Sequence, residues 1–430
     1  MPLKKILPAN NRNTRRERIV PKRQVLRSGG KRKILMITPY LPRLSQSGGQ
    51  NSSYYSIKYL SKNNDITLIC FSRDRQGLRD IKKYCRKVII VKRGKTWDIK
   101  KVFSAVFGPY PFLVTNYISQ DFRNTIKKEL DHNHFDLIHC DCFYPIPNIP
   151  PTKIPVVLVD LTIEYEVYKH YVDTLTGLKK LLRPFLYVDV FKLKYWETHY
   201  WKTTHTVTAF GSDDQKIIAK ATGRKDIKVF QNGVDKKFFT SKPKTAKSAF
   251  PSILFGVSNM KWMQNRQSVD MILKIWPQIK KQIPDCKLFI VGRHAPTFYG
   301  HLHRQDIIIT EADNDGQAKD PQYYYNYCWT LLAPMGSGGG TRNKFLEAMA
   351  CQLPIITTPQ GMGGIKIKNF QHAIVCSYHQ TVKHTIDLLK NKQKRTAIGQ
   401  AANTLIKKHY SYEKSVDGLN QIYEQICQQK

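Results

Sequence analysis

The segment GSGGGTRNKFLEAMA (residues 336–350) decides the fold, because it joins a glycine-rich turn to a helical pattern between two apolar runs. The flanking runs are TLLAP (residues 330–334) and PIITTP (residues 354–359). Uninterrupted apolar runs of this kind are typical of parallel strands that are buried on both faces. Thr341 can cap the helix, whose N-terminus is a ready anion site. The segment therefore predicts a strand–turn–helix–strand unit that binds phosphate.

The helix in this segment carries a candidate carboxylate for a nucleotide. Arg342 and Lys344 lie in its first turn, where the positive end of the helix dipole repels cations. A bound anion would offset this repulsion. Glu347 follows Arg342 by a helix rise of roughly 7.5 Å, about the span from a diphosphate to its ribose. A carboxylate at that place accepts hydrogen bonds from ribose hydroxyls. The alternative is a glycine-rich turn followed by a solvated Glu347.

The rest of the chain repeats the same alternation of apolar runs and helical patterns. Two successive αβ halves follow from this, each predicted to be a Rossmann-like, doubly wound parallel sheet, with ligands beyond the carboxyl ends of the strands. The runs of the first half are KILMITP (33–39), DITLICF (65–71), FDLIHC (135–140), PVVLVD (155–160) and HTVTAF (205–210). Those that open the second half are SILFGVS (252–258), KLFIVGR (287–293) and IIIT (307–310).

The composition shifts along the chain predict its domain boundaries. Residues 1–33 hold twelve Lys and Arg against one acid, Glu17, and little apolar periodicity. A solubilising tail and an arm that adheres to anionic lipid or nucleic acid both fit this pattern. The predicted units are a disordered basic arm (1–32), an N-terminal domain (33–236), a linker (237–250), a C-terminal donor domain (251–408) and a final helix (409–430) that can pack back on the first domain.

The overall charge of the chain limits the classes of partner that it can bind. The 430 residues include 70 Lys and Arg against 32 Asp and Glu, a formal charge of +38. This excess excludes a generic acidic surface and favours polyanions: nucleic acid, an anionic membrane face or phosphate-bearing substrates. The nine cysteines show no disulfide or zinc spacing, and neither a secretory signal nor a membrane-spanning run is present. We therefore expect a cytoplasmic protein with reduced thiols.

Residues 336–365 resemble the donor-nucleotide signature of family 4 of the retaining glycosyltransferases, which have the GT-B fold. The segment is similar to the subgroup of sugar transferases in exopolysaccharide synthesis. The resemblance implies transfer of a sugar from a nucleotide diphosphate sugar to an acceptor hydroxyl, with retention and with neither a metal nor another cofactor. Supporting stretches are the Gly48-Gly49 loop, VDLTIEYEVY (159–168), QNGVD (231–235), GVSNMKWMQN (256–265) and IVGR (290–293).

The resemblance also implies roles for individual residues. Leu161-Thr162 stands where relatives have His-Asn, Asp141 replaces a second His, and Gly339 replaces an earlier Glu. Asp141 and Glu164 remain the candidates for the catalytic base, while His139 is expected to be part of a buried strand. A GT-B protein that binds nucleotide without catalysis is an alternative. The implied donor-binding residues are Gly48, Gly49, Gly338, Gly339, Gly340, Arg342, Lys344 and Glu347.

Two further patterns allow more than one interpretation. The basic aromatic helix at residues 178–201 can lie on an anionic membrane, or it can bury Phe185, Leu186, Phe191 and Trp196 against the first sheet. Asp313-Asn314-Asp315 resembles a metal motif, but a solvated turn is the favoured interpretation. The expected partners are a nucleotide-sugar, a glycan or lipid-linked acceptor and an anionic membrane, placing the protein at the inner face of the plasma membrane. A nucleic-acid-binding protein is the rival, although no common nucleic-acid module is present.

Overall fold

A computed structural model of the chain describes residues 30–44, 48–240, 245–312, 320–336 and 343–428. Two parallel sheets follow one another in this part of the chain, seven strands in the first and six in the second. We call the residues of β1 to β7 the first half and those of β8 to β13 the second half. The basic arm predicted at residues 1–32 lies outside the described residues for positions 1–29, and Arg32 begins the first strand.

The first half forms a sheet with the strand order β3-β2-β1-β4-β5-β6-β7, in which every neighbouring pair is parallel. Short 3₁₀ turns occupy Ile146–Asn148 and Gly177–Leu182. Its elements are β1 (Arg32–Thr38), α1 (Gly48–Leu60), β2 (Asn64–Ser72), α2 (Leu78–Lys82), β3 (Lys87–Lys92), α3 (Ile99–Phe107), α4 (Phe112–Thr115), α5 (Gln120–His132), β4 (Leu137–Asp141), β5 (Val156–Val159), α6 (Glu164–Asp173), α7 (Arg183–Thr203), β6 (Thr206–Ala209), α8 (Ser212–Thr222) and β7 (Lys228–Val229).

The second half has the strand order β10-β9-β8-β11-β12-β13, again entirely parallel. Further 3₁₀ turns occupy Gly300–Leu302 and Tyr378–Gln380. The remaining elements are α9 (Lys237–Thr240), β8 (Ser252–Phe255), α10 (Met263–Gln282), β9 (Lys287–Val291), α11 (Ala295–Tyr299), β10 (Ile307–Thr310), α12 (Pro321–Tyr327), β11 (Thr330–Ala333), α13 (Asn343–Ala350), β12 (Ile355–Thr357), α14 (Pro359–Met362), β13 (Ile374–Val375), α15 (Thr381–Lys390), α16 (Lys392–His409) and α17 (Tyr412–Gln428).

The apolar strands form because helices cover both faces of each sheet. Met36 of β1 lies between Leu68 of β2 and His139 of β4, and all three side chains are buried. Successive side chains of a strand point to opposite faces, so a run of buried residues requires a packed layer on each side. This arrangement brings the carboxyl ends of the strands, and the loops that follow them, to one edge of each sheet.

The final helix returns to the first half, as the sequence predicted. The Tyr412 ring, at the start of α17, stacks on Tyr55 of α1 with the ring centroids 4.6 Å apart. Asn420 Oδ1 accepts hydrogen bonds from Arg32 at 2.8 Å and from Asn64 at 2.9 Å. The predicted doubly wound, two-sheet fold class is therefore confirmed.

The structure divides the residues for which the sequence left burial against the first sheet open. Phe185 and Phe191 are 77% and 69% exposed, whereas Trp196 packs against the core of the first half. Helical periodicity groups residues on one face without saying which face meets the core, and α7 turns the other face inward. The side chains that α7 buries are Val190, Leu193, Glu197, Tyr200 and Trp201.

Two global features complete the fold. The nine cysteines, all within the described residues, are free thiols, consistent with the reduced state expected from their spacing. None of the helices in the described ranges combines the length and the apolar character needed to cross a membrane.

Candidate functional site

The start of α13 meets the start of α1 at the junction between the two halves. A Cβ atom at Gly48, the first residue of α1, would lie 3.8 Å from Asn343 Nδ2, at the first residue of α13. Asn343 Oδ1 also accepts a hydrogen bond from Asn232 Nδ2, in the segment that follows β7. Two helix N-termini, one from each half, therefore open at the same place, and both present partial positive charge there.

Glycines permit a close approach of the backbone at this junction. A Cβ atom at Gly49 would lie 2.5 Å from the Tyr40 hydroxyl oxygen, a distance that no side chain tolerates. Gly211, directly before α8, faces Gly364 of the second half, and a Cβ on Gly211 would lie 3.8 Å from the Gly364 Cα. Gly211 and Gly364 therefore bring main chain from the two halves together without intervening side chains.

Lys344 carries a buried cation at the carboxyl end of β8. Its Nζ atom lies 3.3 Å from Ser258 Oγ and 3.2 Å from Asn265 Oδ1. The ammonium also lies over the Phe255 ring, 4.6 Å from its centroid. Only 7% of the Lys344 residue is exposed, so these contacts fix the ammonium in one position. A cation held in this way is preorganised for phosphate oxygens.

Glu347 presents a carboxylate on the junction side of α13. It follows Asn343 by four residues, so the two side chains lie on the same face of the helix. Its Oε2 accepts a hydrogen bond from the Tyr325 hydroxyl at 3.1 Å. Tyr412 belongs to α17, the helix that packs on the first half. Burial and, as the second largest cause, the negative charge of the nearby Glu347 raise the pKa of the Tyr412 phenol. The carboxylate therefore faces the junction between the halves.

The protonation of Glu347 is balanced near neutral pH. Burial raises its pKa to about 7, while the nearby Lys237 ammonium and the Tyr325 hydrogen bond act in the opposite direction. The side chain is half-buried, so one part of the carboxylate remains open to a ligand. Hydrogen-bond donors from a bound molecule would favour the ionised form further.

Asp141 lies at the end of β4, and both of its carboxylate oxygens contact side chains of the first half. Ser53 Oγ of α1 donates a hydrogen bond to its Oδ2 at 2.5 Å, and His139 Nε2 lies 2.8 Å from its Oδ1. The other ring nitrogen of His139 contacts the Tyr423 hydroxyl of α17. His139 is buried in the strand, as expected. The Asp141 carboxylate thus ties β4 to α1 and, through His139, to α17.

Glu164 is the more accessible of the two acidic candidates in the first half. It begins α6, and its Oε1 accepts a hydrogen bond from the Tyr144 hydroxyl at 3.5 Å. Burial raises the pKa of Glu164 to about 7, against the lowering effect of Tyr144. The backbone N–H groups of Glu164 and Tyr165 donate to the two carboxylate oxygens of Glu197, at 2.8 Å and 3.0 Å. Glu197, from α7, therefore fixes the position of the Glu164 residue.

Part of the predicted site lies outside the described residues, namely Gly338, Gly339, Gly340, Arg342 and the Asp313-Asn314-Asp315 segment. The structure brings Gly48, at the start of α1, against the start of the helix that carries Lys344 and Glu347. Among the residues described, no three His, Cys, Asp or Glu side chains lie close enough together to hold a metal ion.

Three residues of the site were missed at the level of sequence: Asn232, Tyr325 and Asn343. Asn232 and Asn343 both fall within segments that carry the family resemblance. Asn343 could have been found from the sequence, because its amide stands beside Arg342 and Lys344 after a glycine-rich turn. Tyr325 lies 22 residues before its partner Glu347, and no local pattern relates the two.

Comparison with known proteins places these observations in a family context. Residues 251–391 match the family model described as Glycosyl transferases group 1. No curated protein sequence matches the chain significantly. The family match lies within the second half, which carries α13, Lys344 and Glu347.

Solved structures resemble the chain over nearly its whole length. Sucrose-phosphate synthase from Thermosynechococcus elongatus has a TM-score of 0.67 at 12% identity, covering 93% of this chain and 100% of its own. WaaG, a glycosyltransferase involved in lipopolysaccharide biosynthesis, has a TM-score of 0.63 at 13% identity, with 92% and 99% covered. Anabaena HepE in complex with UDP-glucose has a TM-score of 0.60 at 12% identity, with 91% and 99% covered. The chain thus has the GT-B glycosyltransferase fold, and its residues 251–391 carry the pattern of the family Glycosyl transferases group 1.

Proposed function

We propose that this chain transfers a glycosyl group from a nucleotide diphosphate sugar to an acceptor hydroxyl, with retention at the anomeric carbon. The observation that carries the proposal is the close approach of Gly48, the first residue of α1, to Asn343, the first residue of α13. Glu347 lies one helical turn after Asn343. Two helix N-termini can hold the diphosphate there, and the carboxylate can accept hydrogen bonds from the ribose hydroxyls. The family match over residues 251–391 and the UDP-glucose complex of HepE support the same donor class.

The chain's own positive charge stabilises the leaving group in this proposal. As the bond between the sugar and the diphosphate breaks, negative charge develops on the departing phosphate oxygens. The buried Lys344 ammonium, held by Ser258 and Asn265, and the N-terminus of α13 provide fixed positive charge for it. Fixed donors of this kind need no reorganisation during the reaction. We therefore propose that the chain itself, without a metal ion, stabilises the charge on the leaving group.

Glu164 is the proposed base for the acceptor. Its pKa of about 7 leaves a large fraction of the carboxylate ionised at neutral pH, and the side chain is half-buried rather than sealed. The acceptor oxygen bonds to the anomeric carbon on the same face from which the diphosphate departs, so the configuration is retained. The bond to the diphosphate breaks in this step, and the hydroxyl proton passes to Glu164. Asp141 has a positioning role in this scheme, because Ser53 and His139 already occupy its two oxygens.

The biological setting belongs to the same proposal. A net charge of +38 favours an anionic surface, and the structurally similar WaaG acts in lipopolysaccharide biosynthesis. We therefore assign the chain to cell-envelope or exopolysaccharide assembly, with a glycan or lipid-linked acceptor, at the cytoplasmic face of the plasma membrane.

A donor panel tests the proposal. The full chain is mixed with UDP-, GDP-, ADP- and CMP-sugars, and thermal unfolding and release of the free nucleotide are both measured. We expect one nucleotide class to raise the unfolding temperature and to be turned over in the presence of an acceptor. If no donor shifts the unfolding temperature or reacts, the proposal is rejected. If a donor binds without turnover under any acceptor condition, the chain is a non-catalytic GT-B protein.

A further inference from the structure

Helix α3 exposes the apolar stripe that a helix in a globular protein normally buries. Its apolar residues recur at the spacing i, i+3, i+4, i+7 and i+8, which places them on one face. The only buried residue of α3 is Ala105, on the other face. The residues of the exposed stripe are Ile99, Val102, Phe103, Val106 and Phe107, preceded in the chain by the exposed Trp97.

A second exposed stripe runs from the Gly177–Leu182 turn along the first half of α7. Leu178 is 86% exposed and Phe185 is 77% exposed. Their spacing again follows the helical period, so the stripe continues on one side of the element. Its other exposed members are Leu181, Leu182, Val188 and Phe191.

Hydrogen bonds join the two helices that carry the stripes. Lys192 of α7 donates to the carbonyl oxygens of Ala105 and Gly108, each at 2.8 Å, and so caps the last turn of α3. Trp196 Nε1 donates to the carbonyl oxygen of Pro109 at 2.9 Å. The end of α3 is therefore fixed against the middle of α7. We call the exposed apolar side chains of residues 97–107 and 178–191 the α3–α7 face.

The α3–α7 face is bordered by positive charge. Residues 93–108 and 177–195 contain nine Lys and Arg against two acids, Asp98 and Asp189. Both acids are used within the fold, since Asp98 accepts from the Lys100 N–H at 2.9 Å and Asp189 accepts from the Phe112 N–H at 2.8 Å. Lys179 and Lys180 are exposed between the leucines of the second stripe. Like charge opposes pairing of this face with a second copy, whereas an anionic bilayer matches both its apolar and its basic character.

We propose that the α3–α7 face docks the chain on an anionic lipid bilayer, with the apolar side chains entering the headgroup region and the flanking lysines at its surface. A contact between the halves lies shortly before the second stripe in the chain. Thr174, in the segment between α6 and the second stripe, lies 3.5 Å from the Met263 sulfur at the start of α10. The inference goes beyond the proposed function, because it names the surface that meets lipid and holds whether or not the chain transfers a sugar.

Vesicle binding by the full chain tests the inference. The chain is sedimented with phosphatidylcholine vesicles with and without phosphatidylglycerol, and two double variants, Phe103→Ser/Phe107→Ser and Leu181→Ser/Phe185→Ser, are compared with it. Each is expected to weaken partition onto the anionic vesicles about tenfold or more, because each removes two large apolar groups from the bilayer. The matched control is Phe370→Ser, an exposed aromatic of the second half, which is expected to bind like the unmodified chain.

Further measurements keep the inference separate from folding and from catalysis. The substituted side chains are exposed, so the unfolding temperature and the hydrolysis of soluble donor are expected to stay unchanged. Hydrogen exchange on the vesicles is expected to slow in residues 97–107 and 178–191.

Either of two results overturns the inference. One is normal vesicle binding by both double variants together with its loss on deletion of residues 1–29, which assigns the binding to the N-terminal arm. The other is a concentration-dependent dimer that Phe185→Ser dissociates, which makes the α3–α7 face an interface between copies.

Discussion

The two halves of the molecule hold their acidic side chains in different ways. Glu347 of the second half is half-buried and has a tyrosine hydroxyl on one oxygen. Asp141 of the first half is 2% exposed, with Ser53 on one oxygen and His139 at the other. The second half thus leaves one carboxylate partly exposed, whereas the first half uses one to join its own elements. The family match covers the half that holds the open carboxylate.

The halves also differ in how they use apolar helix faces. The long helix α10 of the second half buries Val269, Ile272, Trp276 and Ile279 along one face. Helix α3 of the first half turns its apolar stripe outward instead. The second half thus buries the apolar face of its long helix, whereas the first half leaves one apolar helix face at the surface.

The largest expected effect concerns the proposed base on the acceptor side. Glu164→Gln removes the proton acceptor, so we expect kcat for transfer to fall by about 100-fold. Nucleotide affinity is expected to stay unchanged, because the proposed site holds the diphosphate at the N-termini of α1 and α13 and the ribose at Glu347, without using Glu164. The assay is steady-state transfer together with calorimetry of nucleotide binding, with Glu166→Gln, an exposed neighbour on α6, as the control. Unchanged kcat in Glu164→Gln removes Glu164 from the mechanism.

The next effect concerns the ribose carboxylate. Glu347→Ala is expected to weaken nucleotide binding by about 2 kcal/mol, or about 30-fold, because charge-assisted hydrogen bonds are lost. Isothermal titration calorimetry measures the affinity, and Glu424→Ala, an exposed glutamate of α17, serves as the matched control. Wild-type affinity in Glu347→Ala would refute the ribose assignment.

The raised pKa of Glu347 makes nucleotide binding by the second half depend on pH. Burial raises that pKa to about 7, so the carboxyl is protonated below this value and ionised above it. Affinity for a nucleotide diphosphate sugar is expected to rise with pH up to about 7, by at most about tenfold per pH unit and about 30-fold in all, because the ionised carboxylate binds the ribose more tightly. Titrations across neutral pH measure the slope, and Glu347→Gln is expected to reduce it. A slope of the same size in Glu347→Gln assigns the titration to another group.

The smallest expected effect concerns Asp141. Asp141→Asn is expected to lower the free energy of unfolding by about 1 kcal/mol, since it weakens the hydrogen bonds to Ser53 and His139. Nucleotide affinity is expected to stay unchanged. Urea unfolding measures the loss, and a double-mutant cycle with Ser53→Ala measures the coupling of the two side chains. A large fall in kcat at unchanged stability would give Asp141 a catalytic role instead.

Strand positions and core-facing residues of the second half could be predicted from local patterns. The apolar side chains Phe345, Leu346 and Met349 of α13 are all fully buried. Buried parallel strands leave an uninterrupted apolar run in the sequence, and a helix between two such strands must bury one face. The positions of these elements are therefore determined by short stretches of chain.

Other features depend on residues far apart in the chain. Ser53 and Asp141 are 88 positions apart, and Glu197 caps α6 across more than thirty residues. Strand β3 (Lys87–Lys92) was not predicted, because its short apolar run is flanked by lysines and gains its order by pairing with β2. The sequence left open whether Phe185 is exposed or buried for a related reason, since periodicity groups apolar residues without saying what covers them.

A crystal structure of the chain with a nucleoside diphosphate locates the donor site. We expect the diphosphate where Gly48 meets Asn343, at the N-terminus of α13. We also expect the ribose hydroxyls within hydrogen-bond distance of the Glu347 carboxylate. A nucleotide bound elsewhere, or a ribose that does not contact Glu347, would contradict this assignment.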